Sequence, residues 1–360
     1  MIVMNRKEGR YKDSLLSLLM LFITVPILTS CDRENIDFAE KIPISFTGSV
    51  ETKALISDVA GIQETGIGVT AYIQQNNAVA PVMKNQQVTY SDGNWTYSPV
   101  SYWSKSDNYI FTAYAPFSSN LTTVLAARTM TFSGIPQYQS VMTDEEKRSA
   151  IDILTDTKSG SYQSEFSNGK VQFELKHELA YLEIRAVKAD IVSMRDVDFK
   201  VVSLVLGDNN DQMPVPANDR TFTKNILDNS QSNWRPVSYP VDGQGRYPII
   251  SSIVGQNSIP NEVDKNPLVL AKMLVAPFEF GGNANPHSLA FQITYNKDDG
   301  QNDPTNHDII GHAVTINKFE AGKKYIVTLR FNTASKVEIN TVVVENWTTG
   351  STYEPPVFNW

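Results

Sequence analysis

Apolar residues recur at every second position along much of this chain, the spacing of strands laid against a core. Ile42, Ile44 and Phe46 alternate with Pro43, Ser45 and Thr47, and Ile67, Val69, Ala71 and Ile73 repeat the pattern. The run Tyr109-Ile110-Phe111-Thr112-Ala113-Tyr114-Ala115 is apolar on both faces. It predicts a central strand that Pro116 ends, because proline cannot donate to a ladder. Ser91-Asp92-Gly93-Asn94, between Val88-Thr89-Tyr90 and Trp95-Thr96-Tyr97, predicts a hairpin turn.

Between about Thr131 and Lys170 the alternation fades. Met142 to Arg148 reads as a short capped helix or an acidic loop, and Ser159 to Gly169 is turn-rich without a strand pattern. A domain boundary is expected there, near residue 166. The second half opens on the longest strand signal, Val171 to Val187. Val171, Phe173, Leu175 and His177 share one parity, whereas Leu182, Ile184 and Ala186 share the other. The apolar face therefore switches near His177 to Ala180, which implies a bulge or a passage from one sheet to another. Val201 to Leu206, Lys272 to Ala276, Leu289 to Tyr295, Tyr325 to Phe331 and Val337 to Trp347 continue the strands, and a proline-containing tail ends the chain. Beyond the N-terminal leader no segment sustains a helical period. The expectation is an all-β chain of two antiparallel β-sandwich domains, residues 42–165 and 166–360.

The N-terminus follows a different logic. Arg6, Lys7, Arg10 and Lys12 precede an apolar stretch that Thr24 and Pro26 interrupt, too short for a spanning helix of about 20 apolar residues. Basic flank, short apolar core and small residues before a cut describe a secretory signal peptide, residues 1–30. Leu28-Thr29-Ser30-Cys31 matches the bacterial lipobox, and Cys31 is the sole cysteine. We read Cys31 as the lipidation site, an acyl (palmitate) anchor that holds the chain at a membrane without spanning it. Residues 31–41 form an acidic tether. The full chain carries formal charge −8 and residues 1–30 contribute +2, which leaves −10 for the remainder. That balance disfavours nucleic acid and anionic lipid surfaces as partners.

Candidate chemistry is sparse. His307-Asp308 and His312 offer three metal-binding groups, but an i,i+5 pair on a strand faces opposite ways, so we expect a solvated loop. The oxygen-rich run Asp298 to Asp303 lacks the spaced acids and closing Glu of a calcium loop and reads as a hairpin connection. Asp and Glu carry no spacing that marks a glycosidase pair. No nucleophile elbow, phosphate loop or H-E-x-x-H occurs. We expect no catalytic residues, no cofactor and no metal: the chain is not read as an enzyme. Trp95, Tyr97, Tyr102, Trp103 and Tyr109 lie within fifteen residues. They are the residue types of sugar-binding surfaces, but their position before a buried strand favours core packing.

The ordered set of features resembles the fimbrillin family, the type V pilus subunits of Gram-negative anaerobes. The matching pieces are the lipobox at Cys31, Ile44-Ser45-Phe46 with Thr52-Lys53-Ala54, Ile67-Gly68-Val69, and Tyr102-Trp103 with Tyr109 to Pro116. Asp152-Ile153-Leu154, Val171 to Ala180, Ala321 to Tyr325 and Trp347 complete the series. The resemblance implies two transthyretin-like sandwich domains in tandem. It implies export as a lipoprotein to the outer membrane and cell surface, with Asp32 and Glu34 similar to a surface-export signal. A trypsin-like protease would cut after Lys53, where such subunits commonly carry Arg, and release the strand Ile42 to Val50. A segment from Val337 to Trp360 of a neighbouring pilin would fill the groove by strand addition. The implied partners are other pilin subunits, with a host protein or glycan as a further ligand. A surface glycan-binding lipoprotein is the alternative, and it requires Trp95 or Trp103 to face solvent.

Overall fold

The computed structural model describes residues 41–50, 59–75, 78–119, 122–124, 129–208, 220–225, 233–236, 247–250, 258–263, 266–279, 289–298, 300, 305–313, 316–333 and 336–347. Strands dominate them, as the period-two pattern requires. In chain order they are β1 (Ser45–Val50), β2 (Ile67–Gln75), β3 (Ala78–Ser91), β4 (Asn94–Thr96), β5 (Asn108–Ala115), β6 (Thr122–Val124), β7 (Thr129–Ile135), β8 (Tyr138–Ser140), β9 (Leu154–Ser161) and β10 (Lys170–His177). The series continues with β11 (Ala180–Lys188), β12 (Asp198–Asp208), β13 (Arg220–Asn225), β14 (Asn233–Pro236), β15 (Tyr247–Ile250), β16 (Leu268–Val275) and β17 (Phe278–Glu279). It ends with β18 (Leu289–Asp298), β19 (Thr305–Ala313), β20 (Lys318–Phe319), β21 (Lys323–Thr333) and β22 (Lys336–Asn346). Two short helices accompany them, α1 (Val59–Thr65) and α2 (Asp144–Ser149).

A first, seven-stranded sheet has the order β1-β10-β9-β5-β2-β3-β4. A second, five-stranded sheet has the order β22-β21-β11-β16-β8 and is accompanied by a four-stranded sheet, β15-β12-β18-β19. A further four-stranded sheet, β14-β13-β7-β6, draws on both halves of the sequence. Ile42–Trp360 forms one compact unit.

Three apolar clusters explain the strand patterns. Along β10, Val171, Phe173, Leu175 and His177 are buried and the residues between them are exposed. The three apolar side chains enter a cluster with Phe46, Phe111 and Ile67. Two residues on, in β11, the parity reverses: Ala180, Leu182, Ile184 and Ala186 enter a second cluster with Phe291, Val327 and Phe331. The chain thus leaves the first sheet for the second between His177 and Ala180, the passage implied by the switch of apolar face. Residue 166 itself lies before β10, whose ladders are with β1 and β9. A third cluster joins residues of both sheets, among them Tyr72, Tyr114, Tyr181, Leu274 and Trp347.

Other local readings meet their structure directly. Asp92 and Gly93 take the positive φ that the two-residue turn between β3 and β4 needs. Thr143 caps α2 by accepting from the Glu146 N–H, and the Glu146 carboxylate accepts in return from the Thr143 N–H, a capping box. The turn-rich reading of Ser159 to Ser161 is corrected: β9 runs through Ser161, paired with β5. β9 escapes the hydrophobic pattern because its inward groups are polar and satisfied. Asp156 accepts the N–H of Thr157 and of Glu174, both at 2.8 Å, and the Thr112 and Thr157 hydroxyls lie 3.0 Å apart. A helix of seven residues, such as α1, is too short to show a period.

Gly68 marks where the packing tolerates least. A Cβ on it would lie 2.0 Å from the Tyr114 ring, whose hydroxyl sits 2.6 Å from Asn85 Oδ1. Replacing Gly68→Ala is expected to lower stability by about 2–3 kcal/mol, the cost of overpacking a filled core, with a matching fall in the urea midpoint. An unchanged midpoint would contradict this packing.

Candidate functional site: the seat of the first strand

Strand β1 owes its position to three inward-facing side chains and two sets of backbone bonds. Ile44 and Phe46 are 1% and 3% exposed, and Ile42 packs beside them on the same cluster. The Phe46 ring stacks on Phe173 at 5.9 Å, meets Phe111 edge-on at 6.1 Å and lies tilted against Tyr97 at 5.4 Å. Burying a side chain of this size contributes about 1.5–3 kcal/mol before any ring–ring term.

The backbone is held from both sides. From Ser45 to Val50, β1 pairs with β10 in parallel register, Ser45 opposite Lys170 and Val50 opposite Leu175. On the other side, Ile44 N–H donates to Ser101 O at 2.9 Å and Trp103 N–H to Ile42 O at 2.9 Å, about a bridge between Pro43 and Tyr102. The Tyr97 hydroxyl donates to Ile44 O at 2.8 Å and accepts the Ser101 N–H at 3.2 Å. Burial pushes the Tyr97 hydroxyl pKa up from 10.0, and the bond to the Ser101 backbone opposes that rise.

The upper end of the seat turns on Gly169. Its φ of +74 lies in the left-handed region that favours glycine, and a Cβ there would stand 3.4 Å from Ile42. Its carbonyl accepts from Ser45 N–H at 3.1 Å, Ser45 Oγ at 2.9 Å and Trp103 Nε1 at 3.1 Å. Trp103 in turn stacks on Phe166 at 5.3 Å. At the lower end Gly48 faces Trp95, whose ring would make an ordinary contact, at 3.9 Å, with a Cβ.

The aromatic group reads as packing. Trp103 and Tyr109 are 8% and 1% exposed, Trp95 and Tyr97 are half-buried against the same cluster, and Tyr102 alone of the five is exposed, at 47%. Cys31 and Lys53 lie outside the described residues, as do Asp299 and the residues 301–303 of the oxygen-rich run; Gly300 N–H donates to Asp298 Oδ1 at 2.8 Å. His307, Asp308 and His312 fall within β19, a strand where a loop is expected. Among the described residues no three metal-ligating side chains converge. Sequence reasoning missed the contribution of Gly169 and Ser101, whose roles are carried by backbone atoms and leave no periodic trace.

An all-β, sandwich-like chain whose first strand fills the edge of its own core is the class of protein that this geometry defines. A model of the fimbrillin-like family matches residues 52–347, so the chain belongs to the fimbrillin-like family. It is 24% identical to the Fimbrium subunit Fim1C of Phocaeicola vulgatus over 93% of this chain and 97% of that one. The crystal structure of a fimbrial protein from Bacteroides vulgatus shares the fold, with a TM-score of 0.63 and 19% identity, over 85% of this chain and 99% of that one.

Two outcomes test the seat. Phe46→Ala is expected to cost about 3–5 kcal/mol in denaturant unfolding, since it empties a site lined by three rings. Alkali is expected to loosen β1. A raised tyrosine pKa means that the neutral hydroxyl stabilises the fold fully below pH 10.0 and that this share is lost as pH rises through the folded-state value. Thermal unfolding followed from neutral pH to above that value should fall less steeply in Tyr97→Phe than in the parent; equal slopes would remove Tyr97 from the account.

Proposed function

We propose that this chain is a fimbrial subunit, exported to the cell surface as a lipoprotein through Cys31 and assembled by strand exchange. The observation that carries the reading is the seat of β1. This strand lies at the edge of the sheet, parallel to β10, and supplies Ile44 and Phe46 to a core that is otherwise built from residues 59 onward. A strand so placed completes the fold without being woven into it, and a segment of another chain can replace it. The family match supports this, because it begins at residue 52, just past β1, and stops at Trp347.

In this reading a protease cuts after Lys53, three residues beyond β1. The lipid-bearing segment then departs with Ile44 and Phe46, and a neighbouring subunit fills the vacated groove. Residues 336–346 already pair along β21 in β22 and Trp347 is buried, so the filling segment is drawn from residues 348–360. There Phe358-Asn359-Trp360 repeats the apolar–polar–aromatic order of Ile44-Ser45-Phe46. Two transthyretin-like modules stand in tandem in this reading, β10 belonging to the sheet of the first, and the chain passes to the second between His177 and Ala180. The partners are other pilin subunits, and adhesion to a host surface follows from display on the fimbrium.

Trypsin treatment of the full chain, followed by electrophoresis, tests assembly. Loss of the segment up to Lys53 should be accompanied by high-mass ladders that survive detergent, and Lys53→Gln should abolish both. Cutting without ladders would overturn strand exchange. Detergent-phase partitioning tests the anchor: the parent should enter the detergent phase and Cys31→Ser should not.

A further inference from the structure

The last residue of β10, the strand that seats β1, touches the last residue before the tail. His177 and Trp347 stack face to face, with ring centroids 3.7 Å apart and planes within 12°. Both are buried, at 4% and 7% exposure. His177 Nδ1 lies 3.0 Å from Asp152 Oδ1, a carboxylate that precedes β9. The Tyr181 ring lies 5.5 Å from the other partner, Trp347. Backbone bonds close the same corner: Trp347 N–H donates to Gly322 O at 2.8 Å, and Gly322 N–H donates to Leu179 O at 2.9 Å.

We infer that this corner is a mechanical clamp, which passes tension from the β1 seat to residues 348–360 without drawing on the second sheet. The topology makes such a device necessary. β11 and β21 run parallel and β22 runs antiparallel to β21. The start of β11 and the end of β22 therefore lie at the same end of that sheet. Tension applied between β10 and the tail would peel the sheet open from this end, one pair of strand bonds at a time. Peeling is the weak direction, because bonds break in sequence and not together. The covalent route between His177 and Trp347 is 170 residues long, and the stacked rings bridge it directly. The use of the clamp in a filament rests on the strand-exchange reading; its existence in a single chain does not.

Single-molecule force measurements on the full chain test it. Cys31 is the only cysteine, so Cys31→Ser frees the chain for two engineered attachment thiols. With Gln172→Cys and Thr349→Cys, the load runs through the clamp. Under constant load, Trp347→Ala is expected to shorten the lifetime by roughly 100-fold, the factor that a lost buried tryptophan carries. Opening should then let the second half peel, with a total release of roughly 600 Å of chain. His177→Ala should act in the same direction, and His177→Phe, which keeps a stacked ring, should retain most of the lifetime. With the second thiol at Val192→Cys, at the opposite end of β11, the load bypasses β22, and Trp347→Ala should leave the lifetime nearly unchanged. Equal shortening along both axes would reduce the corner to ordinary stability, and no shortening along the tail axis would overturn the clamp. Failure of the ladder assay with this result intact would leave the clamp standing and sink only strand exchange.

Discussion

A sheet edge that carries an apolar face has to be covered, and this constraint shapes the first half of the chain. β10 presents one row of backbone groups to β9 and a second row outward, while Val171, Phe173 and Leu175 point into the core beside that outer row. Left open, the edge would offer both hydrogen-bonding groups and apolar surface to any passing strand. β1 closes it, bonding to β10 along its length and placing Phe46 among three rings. The parallel orientation matters as much as the contacts. A parallel neighbour cannot arrive by a tight hairpin, so β1 is brought in by a long connection and not by the strand it covers. Topologically it is a plug.

That arrangement also shows which parts of the molecule can be read from sequence. The alternation in β10, with His177 continuing the buried parity of three apolar residues, is legible because one face of that strand meets a core and the other meets water. The crossing into β11 is legible for a related reason, since a reversal of parity has few physical causes. β9 was hidden because, after Leu154, its buried positions are Thr155, Asp156 and Thr157, whose partners are other residues and not a period. The seat of β1 was half legible. Ile44 and Phe46 announce a strand, but Ser101, Gly169 and the parallel register act through backbone atoms, which have no alphabet. The run Asp298 to Asp303 reads as a hairpin connection because Asn, Asp and Gly are turn formers, and β18 and β19 do pair antiparallel on either side of it; β19 itself was hidden because Thr305, Asn306, His307 and Asp308 are polar.

The joint between the two sheets follows from the same economy of edges. His177 ends one strand and its neighbours begin another, with only Glu178 and Leu179 between them. Two residues give little freedom, so the sheets share a cluster in place of a flexible linker, and Tyr114 from one meets a group that includes Tyr181 and Trp347 from the other. Buried polar groups pair across the corner as well, Asp152 Oδ1 with His177 and the Thr155 hydroxyl with the Glu178 carboxylate, while Asp152 Oδ2 has no hydrogen-bond partner among the described residues. Each pairing costs desolvation that only a fixed partner repays, which ties both sheets to one geometry.

On the strand-exchange reading, edge closure and the joint together set a limit on what a replacement strand must be. The groove demands alternation, a bulky residue where Ile44 lies and an aromatic where Phe46 lies. Of the outward positions it asks less: Thr47 has only to sit in the ladder, and Ser45 adds one bond from its Oγ to Gly169 O. A short segment with two well-spaced apolar side chains is therefore enough, and its backbone bonds to β10 supply affinity without regard to sequence. Selectivity has to come from the depth of the two pockets.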